Sequence, residues 1–312
     1  MSERVFENWT ASDSAAWGKA PVLARHTLAT SDLFQLDRLA DLIDAYPRDL
    51  CDIVHTSRAG TLAAVWREGE IGDLAGREMI EWIQAGQMWL NLRRVQDVDR
   101  RYAALLNCIF SELEQNIPGF GSFNRSMGIL ISSPLAKVPF HCDLPGQSLW
   151  QISGRKRFKL YPAGEPCLRQ AELERIALYG GEVRLTYDPG FDAYARVIDL
   201  EPGQMVHWPL HAPHSIENLG VLNVSMTIEH WTRHIRRMQM VTTANAVLRN
   251  HLGVTPRSTG TEGAAFMAKA ALQAGWRRSP WVKAKRRSQK VVDFRLDPTT
   301  PGKIVDIPRV TR

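Results

Sequence analysis

The stretch over residues 122–230 constrains this chain most. About seven short runs follow one another there, separated by Gly, Pro, Asn and Asp: SMGILIS, SLWQI, RFKLY, EVRLTY, ARVIDL, QMVHW and LNVSMTIEHW. Most are apolar or alternate apolar with polar residues, the period of a strand whose two faces meet different surroundings. So many short strands at such spacing predict an antiparallel sandwich or barrel. The flanks differ. Residues 36–46 and 78–85 carry apolar residues at helical spacing, and over 97–116 Tyr102, Leu105, Leu106, Ile109, Phe110 and Leu113 form one stripe. QMWLNL predicts a strand between the second and third of these, and 168–178 a helical insert within the β region. Residues 232–252 and 262–274 predict two more helices. The expected organisation is therefore a mostly helical flank over 1–120, a β core over 121–231, helices over 232–275 and a basic, extended tail over 276–312.

Composition narrows the class. The chain has 312 residues, 44% hydrophobic and 23% charged, as in globular proteins rather than disordered or fibrous ones. No run approaches the roughly 18 consecutive apolar residues of a membrane helix, so no membrane association is expected. The first residues lack the apolar stretch of a secretory signal. Cys51, Cys108, Cys142 and Cys167 form no C-x-x-C pair, which argues against a disulfide framework or zinc knuckle and for a reducing, cytoplasmic location. The net charge is +6, yet residues 276–312 hold 11 Lys or Arg against 3 Asp, leaving −2 for the rest. A broad nucleic-acid-binding face on the body is disfavoured. WRRSPWVKAKRRSQK interleaves Trp with Arg, as single-strand binders do, but a solvated tail that docks on a partner or subunit is the favoured reading.

Four features carry chemistry. His141 and Asp143 are two apart, so on a strand they point the same way and can share a metal ion. Alone, H-x-D is a weak signal and also fits a solvated strand end. In SGRKRFKLYP, Lys156 shares a face with Phe158 and Leu160, whereas Arg155, Arg157, Lys159 and Tyr161 share the other. An interior ammonium is costly without a counter-charge, and a bound carboxylate could supply it. A slipped register, or a lysine snorkelling to water, is the alternative. EPGQMVHWPLHAPHSIEN then offers His207, His211 and His214. One of these would complete a set of two His and one carboxylate, the open facial triad of non-haem Fe(II) oxygenases. His207 sits mid-strand and reads as core or pocket lining, His211 as turn surface. Along 222–229, Asn223, Ser225, Thr227 and Glu229 form a polar face that fits either solvent or a polar cavity.

Together P-F-H-C-D, Q-I-S-G-R-K-R-F-K-L-Y-P and P-G-Q-M-V-H-W-P-L-H-A-P-H resemble the JmjC and cupin-like Fe(II)/2-oxoglutarate oxygenases, in particular the subgroup with the asparaginyl hydroxylase of hypoxia-inducible factor. The resemblance covers about a third of the chain. It implies a double-stranded β-helix, or jelly roll, with iron held by His141, Asp143 and His214. His214 matches the family's final His, five residues after Pro209; His211 is the lesser candidate. Lys156, fifteen residues after His141, matches the lysine that binds the far carboxylate of 2-oxoglutarate. Gln147 stands where relatives have Asn, and Asn223 or Ser225 would face the co-substrate from the last strand. Val138 departs from the pattern, replacing a Thr or Ser that contacts the same carboxylate.

The implied activity is hydroxylation of a C–H bond, or demethylation of an N-methyl group, with succinate and carbon dioxide as co-products. The substrate would be a protein or peptide side chain, or a small molecule. A non-oxygenase metal cupin, acting as a sensor or isomerase, is the alternative; His207 and Glu229 would then be extra ligands. The helices after His230 resemble in position those that dimerise some family members. Met240, Ala244, Val247 and Leu248 would suit a homodimer or a self-packed helical subdomain.

Overall fold

In the computed structural model, residues 4–56, 66–180, 185–279 and 291–311 are described. In chain order the first part holds α1 (Ala11–Ala16), β1 (Val22–Arg25), α2 (Leu36–Asp44), β2 (Cys51–Thr56), β3 (Trp66–Glu70), α3 (Gly76–Ala85), β4 (Met88–Leu92), α4 (Val95–Val98) and α5 (Arg100–Asn116). Next come β5 (Phe123–Ser132), β6 (Lys137–His141), β7 (Gly146–Ser153), β8 (Lys156–Leu160), α6 (Gln170–Tyr179), β9 (Arg196–Leu200), β10 (Gln204–His207), β11 (His214–Asn218) and β12 (Asn223–Trp231). Two helices, α7 (Arg233–His251) and α8 (Gly263–Arg278), and two strands, β13 (Val291–Leu296) and β14 (Ile304–Thr311), complete the chain.

Two sheets result among the described residues. The larger runs β1-β10-β7-β12-β5-β4-β2-β3-β13-β14, the smaller β6-β11-β8-β9. Every pairing is antiparallel except β3 with β13. Strand alternation sorts the side chains of the large sheet. Met127, Ile129, Ile131, Trp150, Val224, Met226 and Ile228 face the helices and form one core with Leu39, Ile43, Met79, Ile83, Ile109 and Phe110. The other face turns to the small sheet, where Leu149 and Val206 pack against Phe158, Leu160, Ile198 and Leu200. The candidate site residues His141, Gln147 and His214 line a cavity between the sheets.

The helix expectations hold in position. α2, α3, α5, α7 and α8 fall on the periodic segments, and the side chains of Asp99 and Thr232 cap α5 and α7 by accepting from Arg101 and Ile235 N–H. The 1–120 flank is less helical than expected, since it gives β1 to β4 to the large sheet. Val22–Arg25 is too short for a pattern to register, and the 51–56 run is buried at four of six positions, so strict alternation is absent. EVRLTY forms no strand at Leu185–Tyr187, and its residues 182–184 lie outside the described residues. The tail expected to be extended from 276 begins as helix, since α8 runs on through Arg278. Over 291–311 it forms β13 and β14, which pair as a hairpin, and β13 joins β3; 280–290, which holds most of the Trp/Arg-rich segment, lies outside the described residues. Of the apolar residues of α7 offered for a dimer or a self-packed subdomain, Ala244 and Val247 are buried within the chain, whereas Met240 and Leu248 are only half-buried. α7 packs on both α6 and α8.

Candidate metal centre and co-substrate pocket

The small sheet assembles a three-residue cluster. β11 pairs with β6 so that His214 lies opposite His141, and a register shift follows between His214 and Ile216. Such an irregularity bends a strand and re-aims its side chains. The turn before β11 closes with Ala212 N–H donating to Pro209 O, while His211 sits at φ +64°. Potential ligand atoms of His141, Asp143 and His214 all lie within 4.8 Å of one another. His214 Nε2 is 3.4 Å from Asp143 Oδ2, and the two imidazole centroids are 4.2 Å apart.

Hydrogen bonds fix both tautomers. His141 Nδ1 lies 2.7 Å from Pro139 O and His214 Nδ1 3.1 Å from Ala212 O. A carbonyl only accepts, so each Nδ1 carries a proton and Nε2 is the nitrogen available to ligate when the ring is neutral. Burial, reinforced by neighbouring His141, holds His214 well below the usual imidazole range, hence neutral. Burial raises the Asp143 carboxyl, with His141 opposing, and its Oδ2 is buried without a hydrogen-bond partner. Two imidazole nitrogens and an orphaned carboxylate oxygen clustered together are a donor set that fits a small divalent cation. His207 and Glu229 do not join it. His207 Nδ1 donates to Gln147 O, its Nε2 accepts from Gly18 N–H, and its ring stacks on Trp17 at 3.7 Å. Glu229 accepts from Gln147 Nε2 at 3.2 Å. His211 is a turn residue as expected but buried, not on the surface.

Lys156 opens β8 on its inner face, 3% exposed. It pairs with Asn218 of β11, whereas His214 pairs with Leu160. Four strand positions separate the two registers, about 13 Å along the strand. The ammonium lies 3.4 Å from Ser132 Oγ, which also accepts from Asn218 Nδ2 at 2.9 Å. No carboxylate of the described residues lies within ion-pair distance of Lys156, and burial alone pushes its pKa down to about 7. Close by in the sheet register, Ser225 stands opposite Gln151, and Ser225 Oγ and Gln151 Oε1 are both buried without partners. A buried ammonium with a hydroxyl but no carboxylate beside it fits a bound carboxylate.

The remaining sequence candidates fall around this axis. Gln147 lines a cavity of about 170 Å³ with His141, His214, Val138, Trp208 and Thr227. Asn223 is on the same face of β12 but its amide is engaged: Oδ1 accepts from Gln151 Nε2 and Nδ2 donates to Val221 O, both at 2.7 Å. Sequence reasoning missed Ser132, Asn218 and the cavity-lining Asn91. Each reaches the site only through cross-strand pairing, and a single strand's alternation carries no sign of its partners.

Comparison with known proteins agrees with the fold. The structure of ycfD from Escherichia coli aligns over 96% of this chain and 77% of its own, with TM-score 0.53 and 18% identity. A second structure of YcfD, described as a ribosomal oxygenase in complex with cobalt and 2-oxoglutarate, aligns over 98% and 87% with TM-score 0.52 and 18% identity. The chain therefore has the fold of that oxygenase. These neighbours bear on the fold and not on the asparaginyl hydroxylase subgroup. Among curated proteins, HSPB1-associated protein 1 homolog of Danio rerio is 30% identical over 142 residues, 41% of this chain. The matched stretch spans 32% of that relative's length. No family model matches the chain.

Proposed function

We propose that this chain is an Fe(II)- and 2-oxoglutarate-dependent oxygenase built on a double-stranded β-helix. The observation that carries this is the buried, unpaired Lys156 ammonium on the same small sheet as the His141–Asp143–His214 cluster. A cation-ready triad and an anion-ready lysine on one small sheet would suit the two ends of a small oxo-dicarboxylate, with the long lysine side chain reaching along the sheet. The cobalt and 2-oxoglutarate of the YcfD complex support the same pairing.

His141, Asp143 and His214 would hold the iron, with the Nδ1 bonds leaving both Nε2 atoms available to ligate. Lys156 would pair with the far carboxylate, with Ser132 Oγ fixing the ammonium and Ser225 Oγ able to donate to the same group. Ser225 and Ser132 would thus replace the hydroxyl lost at Val138. Gln147, held by Glu229, would border the co-substrate or substrate from β7. When bound, iron and 2-oxoglutarate supply dioxygen activation coupled to oxidative decarboxylation. The protein contributes ligand orientation and a pocket whose apolar walls, Leu130, Leu149 and Trp208, exclude water. The substrate would be a side chain of a protein or peptide, which the description of YcfD as a ribosomal oxygenase supports. Hydroxylation is the direct outcome.

Calorimetry of 2-oxoglutarate binding to Mn(II)-loaded protein tests this reading. Wild type should bind, Lys156→Ala should bind at least about tenfold more weakly, and metal-free protein should bind poorly. Equal binding by wild type and Lys156→Ala would overturn the assignment of the lysine.

A further inference from the structure

The described residues between β8 and β9, 161–180 and 185–195, include a segment that packs behind the candidate metal cluster. His141 and Asp143 alternate with Phe140, Cys142 and Leu144, and these three belong to a separate hydrophobic cluster with Tyr161, Leu168, Leu173 and Ile176 of the segment. The strand that presents the ligands on one side is therefore backed by the segment on the other. Phe140 is enclosed by aromatic rings: Tyr161 at 5.0 Å edge-on, Tyr187 at 5.5 Å and Phe191 at 5.9 Å. Tyr161 touches the second ligand strand too, because its backbone N–H donates to Pro213 O, beside His214.

One carboxylate ties this cage together. Asp192 Oδ1 accepts from Tyr161 OH at 2.7 Å and from Tyr187 OH at 2.8 Å, and Lys159 Nζ lies 2.7 Å from Oδ2. The Lys159 bond, against a smaller opposing effect of burial, holds Asp192 below the usual carboxylate range, so it is ionised at neutral pH. Its side chain is 39% exposed and Lys159 31%, so the ion pair itself adds little stability. Its value is geometric. Three donors from β8, the residue after it and the segment's far end converge on one group.

We propose that Asp192 is a positioning residue for the metal centre. It locks the Tyr161–Tyr187–Phe191 cage around Phe140, and through Phe140 and Pro213 it sets the placement of His141, Asp143 and His214. Partners outside the ligand shell commonly change metal affinity by roughly ten- to a hundredfold. The proposal rests on reading the triad as a metal site.

Cobalt(II) titration followed by its visible d–d absorption tests it, with the thermal midpoint of the metal-free protein measured in parallel. Asp192→Ala should weaken cobalt binding about tenfold and alter the band shape, with the metal-free midpoint falling only a few degrees. Asp192→Asn, which keeps an acceptor oxygen, should recover much of the affinity. Asp199→Ala removes a comparable exposed ion pair with Arg157 on the same small sheet, away from the cage, and should leave cobalt binding unchanged. If Asp192→Ala folds poorly, Tyr187→Phe deletes one arm of the clasp and should still weaken cobalt binding measurably. Cobalt affinity and spectrum identical to wild type in Asp192→Ala or Tyr187→Phe would overturn the positioning role. No cobalt binding by wild type would overturn the metal reading itself, and the proposal with it.

Discussion

At the scale of single residues, the site is a set of buried polar atoms that the fold leaves unspent. Asp143 Oδ2 and the Lys156 ammonium are the two costliest, since an isolated charge in an apolar interior is unstable. Removing Asp143 should therefore abolish metal binding: Asp143→Ala should lower cobalt affinity more than about a hundredfold in the same d–d titration. Lys156 gives a pH prediction. Its folded pKa is pushed to about 7, below the ordinary lysine value of 10.5. Between those values the unfolded chain holds a proton that the folded apoprotein has lost, so this group makes stability rise with pH across that window. Binding a carboxylate reverses the preference and favours the ammonium. Association of 2-oxoglutarate above about pH 7 should thus take up a proton and weaken as pH rises. Calorimetry in buffers of different ionisation enthalpy reads this directly, and Lys156→Met should show no uptake. Both residues were legible in the sequence, because H-x-D and a lysine on an apolar strand face are local patterns.

At the scale of elements, legibility followed length and periodicity. α5 and β12 were readable because an amphipathic stripe or strict alternation runs through each. β1 and β2 were not, being short or buried on both faces, and their pairing with β10 and β4 is non-local. The same limit hid Ser132 and Asn218, which meet Lys156 only once β5, β8 and β11 are brought together. The packing of α2 on α3 supplies a sharp test. A Cβ at Gly76 would stand 2.0 Å from Ala40 O, and a backbone carbonyl in a helix has no room to move. Gly76→Ala should destabilise the fold by about 1–3 kcal/mol or more in urea unfolding, through helix displacement. Metal binding at the distant triad should survive in the folded fraction.

At the scale of the whole molecule, the large sheet separates two environments, a helix-backed core and the polar inter-sheet space of the candidate site. Among the described residues, no helix is long and apolar enough to cross a membrane. Apart from the triad ligands, four buried histidines make the fold acid-sensitive. Burial lowers His26, His211 and His230 to about 4 and His207 to about 3. The unfolded chain binds these protons near 6.5, so it gains protons that the folded state refuses as pH falls from 6.5 toward 4. Each group then removes up to about 1.4 kcal/mol per pH unit. Urea midpoints at pH 7 and pH 5 should differ strongly, and His207→Gln should reduce the difference. The most direct test of the central claim is anaerobic titration of the metal-free protein with Fe(II) and 2-oxoglutarate, watching for a weak visible metal-to-ligand charge-transfer band. A band that appears in wild type, vanishes in Asp143→Ala and needs far more 2-oxoglutarate in Lys156→Ala is the expected result. Iron-loaded wild type that shows no band at saturating 2-oxoglutarate would contradict the oxygenase assignment.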